Sequence, residues 1–329
     1  MSREKIKPVL SFVQEEPFGV RVTPERRKLQ QGRTVFFPGL GETVKEGGAF
    51  SEPAKAYAEL TGEEVLAPQD PKASEELSHE DVVEKLEERK IHAREYFKQS
   101  VAEETLEAVL NTIPLGQFKK ALYAMQFLES SADAPVEPIT KVVAHSQGGV
   151  VGPLCALLWP EYFKDTHFVL MNPAGWSASP EKGEQLFVAA SERVKKSRLE
   201  ILKNAFAETP SFVRYYASLI ASGNVRALLN SLFDGFASGR MFQRLDEARE
   251  LLHYDAVPLL QLLAHTGSKI TVAYGEKDAL FLKKNFKRRL QKTPDIEGRE
   301  VSGGHFEILK HPRKVSMTLQ ELFLGQSSG

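Results

Sequence analysis

The 329-residue chain holds a single cysteine, Cys155. A lone thiol excludes an internal disulfide and any multi-cysteine metal centre. It falls in the apolar run VGPLCALLW, where a buried structural thiol is expected. An excess of charge is lacking too: 43 basic and 44 acidic side chains leave a formal net charge of −1. That balance offers no basic surface to nucleic acid or to an anionic membrane, so neither partner is expected. Nor does any apolar run approach the roughly 20 residues of a membrane-crossing helix, so no stable membrane insertion is expected. The opening MSREKIKPVLSFVQEEPFG carries charges and has neither an unbroken apolar stretch nor a small-residue cleavage site. A cytoplasmic protein is the expectation. HExxH, CxxC and Asp-rich loops are all missing, so no metal is expected. The Gly-x-Gly of FPGLGE lacks the third glycine of a dinucleotide fingerprint, and no cofactor is expected.

What is present is an ordinary folded-protein composition, 42% hydrophobic and 26% charged. KPVLSFVQ and FGVRVTP read as an antiparallel strand pair. GRTVFFPGLGE is a buried strand running into a Gly-rich turn, AFSEPAKAYAELTG a helix with a Gly stop, and EEVLAP a short strand. A charged segment over about 70–120 follows; its SHEDVVEKLEERKIHAREYF starts with a Ser cap and carries i,i+4 opposite charges. ITKVVAHS, DTHFVLMNPAGW, SKITVAYGEKD and IEGREVSGGHF are further strands, each running into a turn, and HPRKVSMTLQELFLG closes the chain as a helix with Pro312 in its first turn. Between them, about 179–264 reads as helical throughout, with aromatics and no strand. Alternating strands and helices predict an α/β fold with a mostly parallel sheet flanked by helices. The division is a core over 1–178, a helical lid over 179–264 and a second core part over 265–329, the lid lying over the carboxyl ends of the strands, where such sheets bind ligands.

Within VVAHSQGGVVG an apolar strand meets small-x-Ser-x-Gly and then a helix. A serine whose Oγ is to stand above the sheet takes a strained backbone conformation, and side-chain bulk two residues to either side would clash with neighbouring elements. Here those positions are Ala144 and Gly148, around Ser146. Gln147 starts the helix, so its backbone N–H points toward the reacting centre. A serine needs a base, and the base an orienting group. YGEKDALF puts Asp278 just after a strand, and SGGHFEIL puts His305 in a turn after the next one. Glu276, two residues before Asp278, is the alternative acid.

AHSQGG, YGEKD and GGHF resemble the nucleophile elbow, acid turn and histidine turn of the α/β-hydrolase superfamily; FFPGLGE is similar to its oxyanion-loop segment and MNPAG to the strand end that opens into its lid. The resemblance runs from about Phe18 to the end. It implies the α/β-hydrolase fold, a catalytic triad of Ser146, Asp278 and His305, and an oxyanion hole made by the backbone N–H groups of Leu40 and Gln147. Pro38 stands where many members carry the histidine of a His-Gly pair, and the spacer from Leu40 to Ser146 is longer than usual because of the charged segment.

His145 abuts the nucleophile but points in another direction, and is expected to pack beside the pocket. With Trp176, Phe281 and Phe306 it forms the candidate substrate pocket; the lid aromatics serve equally as the lid's own core. Lys283, Lys284, Lys287, Arg288 and Arg289 read as a solvated helix face. The expected activity is a serine hydrolase acting on a small-molecule ester or thioester with an apolar acyl or aromatic group. Acyl transfer on the same scaffold and a non-catalytic binding or scaffolding role, motivated by the charged segment, stay open. FPGLG with HSQGG is also similar to the malonyl-transacylase family, but no arginine follows closely after the serine to hold a malonyl carboxylate. A homodimer stays open as well.

Overall fold

The computed structural model describes residues 11–16, 18–24, 32–39, 42, 44, 50–69, 77–130, 138–176, 247, 250, 251, 253–278, 283–305 and 307–325. Their strands are β1 (Ser11–Glu16), β2 (Gly19–Pro24), β3 (Arg33–Phe37), β4 (Val65–Pro68), β5 (Ile139–His145), β6 (His167–Met171), β7 (Lys269–Gly275) and β8 (Glu297–Val301). They form one sheet in the order β1-β2-β4-β3-β5-β6-β7-β8. β1 and β2 are an antiparallel hairpin, β2 pairs antiparallel with β4, and every pairing from β4 to β8 is parallel. β5, β6 and β7 are buried along most of their length, as apolar strands covered on both faces should be. β8, at the edge, carries Glu297, Arg299 and Glu300, charges that discourage pairing with another sheet.

One face is covered by α1 (Ser51–Thr61) and α9 (Pro312–Leu324), which pack on each other and bury Tyr57, Val315 and Leu319 with Phe36 and Val143. α1 ends where the sequence places its stop, at Gly62 with φ 74° and its N–H on the Ala58 carbonyl. The other face carries α2 (His79–Phe97), α3 (Glu103–Leu110), α4 (Leu115–Ser130), α5 (Gly148–Leu158), α6 (Val257–His265) and α7 (Lys283–Leu290); α8 (Glu307–Lys310) is a short turn before α9.

The described part of the charged segment, 77–120, belongs to this second layer. Ser78 caps α2 through the Asp81 N–H (3.1 Å), and Val82, Leu86, Ala93 and Phe97 make one buried stripe at helical spacing. They join Phe118, Val142, Leu154 and Leu170 in the larger core. The Arg89 guanidinium lies 4.6 Å above the Trp159 ring. Its charges are the outer side of a helix whose inner side is core. α6 falls within the stretch assigned to the lid and packs against α5 and β7, with Leu259, Leu260 and Leu263 buried. The rest of that stretch, 177–246, with its aromatics, lies outside the described residues.

The basic helix α7 exposes Lys284, Lys287 and Arg288 as its sequence suggests, while Arg289 turns inward. Lys283 and Lys287 pair with Glu300, and Arg289 grips Asp255 at two points (2.7 and 2.5 Å) while donating to the Trp176 carbonyl (3.1 Å).

Candidate active site

β5 ends at His145, paired with Met171 of β6, and the chain turns at the next residue. Ser146 has φ 48°, the left-handed region that side-chain-bearing residues avoid. Holding it there costs on the order of 1–3 kcal/mol, which the surroundings must offset. They do so by hydrogen bonds: its N–H donates to the Met171 carbonyl (3.1 Å), and its own carbonyl accepts from Ala174 (2.9 Å) and Gly149 (3.0 Å). A Cβ on Gly148 would collide with the Phe37 backbone carbonyl of β3, and one on Gly149 with Pro173. The small residues of the motif are therefore required by β3 and the β6 turn. Gln147 is the N-cap of α5, among N–H groups that have no acceptor within the helix.

The two following strand ends supply the other groups. Asp278 closes a turn after β7 through its N–H to the Gly275 carbonyl (3.3 Å). Glu276 and Lys277 donate from their backbones to Val301 (3.0 Å) and Gly303 (2.9 Å), knitting the acid turn to the histidine turn after β8. His305 Nδ1 lies 2.9 Å from Asp278 Oδ2, both side chains buried. Glu276 instead faces outward, 3.4 Å from the Lys277 ammonium. Burial pushes the His305 imidazole below its ordinary pKa; the Asp278 hydrogen bond and charge oppose this without overcoming it.

A second histidine–carboxylate pair sits beside the first. His145 is fully buried, and its ring centroid is 4.9 Å from that of His305. Its Nδ1 is 2.7 Å from Glu42 Oε1, and its Nε2 is 2.8 Å from the His305 backbone oxygen. The other Glu42 oxygen accepts the Gly39 N–H (2.5 Å). Asn172, at φ 46° after β6, accepts the Gly275 N–H (2.7 Å) and donates to the same His305 carbonyl (3.3 Å). So His145 is a buried link between the loop after β3 and the His305 turn. Glu42 and Asn172 were not singled out by the sequence as site residues. A carboxylate in a Gly-rich turn and a histidine before the nucleophile were in view, but they are 103 residues apart.

Trp176, a pocket candidate, is fully buried and stacks on Phe286 of α7 (6.2 Å, 17°). Leu40, Phe281 and Phe306 lie outside the described residues. A small pocket beside the elbow is bordered by Pro38, Gly39, Gln69, Lys120, Gln147 and Val151. The Gln147 side chain is held at its edge by Gln117 of α4 (2.9 Å). Among the described residues no cluster of His, Cys, Asp and Glu could hold a metal. No described helix is long and apolar enough to cross a membrane.

No protein-family model matches this chain, and no curated protein matches it at a significant level. Among solved structures it is similar to a thermophilic esterase from Thermogutta terrifontis, at 12% identity with 91% of each chain covered and a TM-score of 0.52. It is similar also to the enol-lactonase from Burkholderia xenovorans LB400, at 14% identity, covering 90% of this chain and 92% of that one, with a TM-score of 0.51. The fold is that of the α/β-hydrolases.

Proposed function

We propose that the protein is a serine hydrolase that cleaves a carboxylic ester or thioester through an acyl-enzyme. The observation that carries this reading is the strained Ser146, at the end of β5, together with the buried Asp278–His305 pair after β7 and β8, on the same edge of one parallel sheet. Esterase and lactonase neighbours on this fold support it.

Ser146 Oγ attacks the substrate carbonyl carbon. The Asp278 carboxylate accepts the His305 Nδ1–H, which leaves Nε2 as the basic nitrogen that takes the serine proton. The backbone N–H groups of Gln147 and Leu40 stabilise the oxyanion, at the positive end of α5. His305 returns the proton to the leaving alcohol or thiol, water attacks the acyl-enzyme by the same route, and Ser146 is regenerated. An apolar acyl or aromatic group is the proposed substrate part.

The test is labelling by a fluorophosphonate probe in wild type, Ser146→Ala and His305→Ala, with p-nitrophenyl esters of increasing chain length in parallel. Labelling and turnover that require both residues support the reading. Folded wild-type protein that neither labels nor turns over any ester overturns it. Turnover in the presence of added thiol or alcohol acceptors distinguishes hydrolysis from acyl transfer.

A further inference from the structure

We propose that Glu42 and His145 are positioning residues for this reaction, a buried pair that ties the loop after β3 to the main chain of the catalytic histidine. The inference rests on the hydrolase reading, in which His305 is the base.

The hydrogen bonds constrain the protons. The His305 carbonyl can only accept, so His145 Nε2 carries a hydrogen. One Glu42 oxygen accepts the Gly39 N–H and the other faces His145 Nδ1. With Glu42 as a carboxylate, both oxygens accept and both ring nitrogens donate, so His145 is an imidazolium. Its surroundings agree: burial lowers its pKa, but the Glu42 charge and hydrogen bond and the His305 carbonyl outweigh burial and raise it.

The partners set this pair apart from a salt bridge that merely stabilises a core. Three separate elements meet in it: the loop at Gly39 and Glu42, the end of β5 at His145, and the turn at His305. The loop borders the small pocket beside Gln147, His145 immediately precedes Ser146, and the third turn carries His305 of the proposed triad. Asn172 holds the same His305 carbonyl from the β6 side, so the base is gripped by its backbone from two directions. Among the described residues, Asp278, His145 and Glu42 are charged or titratable groups that act on the His305 ring.

The test uses the full chain with its best p-nitrophenyl ester, comparing Glu42→Ala, His145→Ala and Glu42→Gln, each checked by thermal unfolding. Loosening the grip on His305 and Gly39 should lower kcat by about 10²-fold with KM changed by less than about threefold. Glu42→Gln should recover kcat to within about tenfold of wild type, because its amide oxygen still accepts from Gly39 while its N–H₂ donates to a neutral His145 whose Nε2–H stays on His305. A folded alanine variant with wild-type kcat overturns the proposal, as does a glutamine variant no better than alanine. Should the alanine variants not fold, ¹⁵N-histidine NMR of the wild type decides, with signals assigned through Glu42→Gln. Both His145 nitrogens protonated at neutral pH support the pair, and one deprotonated nitrogen overturns it. Turnover that survives Ser146→Ala defeats the hydrolase reading itself, whereas Ser146-dependent turnover indifferent to Glu42 and His145 defeats only this inference.

Discussion

His305 with Asp278 and His145 with Glu42 are the same two chemical groups, out of water and joined across 2.9 and 2.7 Å, yet their imidazoles shift in opposite directions. For both, burial is the largest influence and disfavours the cation. At His145 it is outweighed by the Glu42 charge and hydrogen bond, with a further contribution from the His305 carbonyl at its second nitrogen. At His305 burial prevails, and the neighbouring His145 adds to it. A histidine–carboxylate pair is therefore not a function in itself. The balance between burial and all the groups around the ring, the carbonyl at the second nitrogen of His145 among them, sets the direction of the shift.

The sharpest way to break this comparison is to remove the carboxylate charge from each pair. Asp278→Asn should lower kcat by about 10⁴-fold, because the amide favours the wrong tautomer of His305. Glu42→Gln should cost far less, since every hydrogen bond in that pair can be kept. Equal losses in steady-state turnover would mean that the two pairs do not differ in role.

Next in size is the second grip on His305. Asn172→Ala strands the Gly275 N–H and leaves an alanine at φ 46°, and should destabilise the fold by about 2 kcal/mol, read from the urea midpoint. An unchanged midpoint would show that the Asn172 hydrogen bonds do not hold that turn.

The pH profile comes third. His305 works only when neutral, so kcat/KM rises with pH through its pKa. A lowered pKa carries activity to more acidic pH than an ordinary imidazole would. His145→Gln removes a neighbouring cation and leaves Glu42 without it, and both changes favour protonated His305. The acid limb should move to higher pH; a limb that stays in place would show that the rings do not sense each other.

A third kind of histidine environment is that of His167, which has no carboxylate hydrogen-bonded to it among the described residues: Nε2 meets Thr271 Oγ1 at 3.0 Å and the ring stands edge-on to Phe323. Burial lowers its pKa from 6.5 to about 4. Between those values the unfolded chain binds a proton that the folded chain refuses, so stability falls as pH drops from about 6.5 toward 4 and levels off below. His167→Gln should flatten that slope in urea titrations at several pH values.

Much of this was legible beforehand. The β1–β2 hairpin, the parallel alternation, the Ser78 cap, the Gly62 stop and the order of Ser146, Asp278 and His305 along the chain rest on local sterics or short-range periodicity. The charged segment was not, because an amphipathic helix with many ion pairs looks solvated until the partner for Val82, Leu86 and Phe97 is known. Arg289 was missed for a similar reason: a basic run says nothing of the distant carboxylate that waits for one of its members.

By itself the sequence determined the seat of the candidate nucleophile, since the space around Ser146 depends on which neighbours lack a side chain, and Ala144, Gly148 and Gly149 declare that directly. It also determined which residue types end each strand. Only the tertiary structure decided which imidazole has its pKa raised and which has it lowered. That depends on hydrogen-bond partners 103 and 160 residues away, delivered by the registers of β3, β5 and β8 and by a burial that no stretch of chain specifies alone.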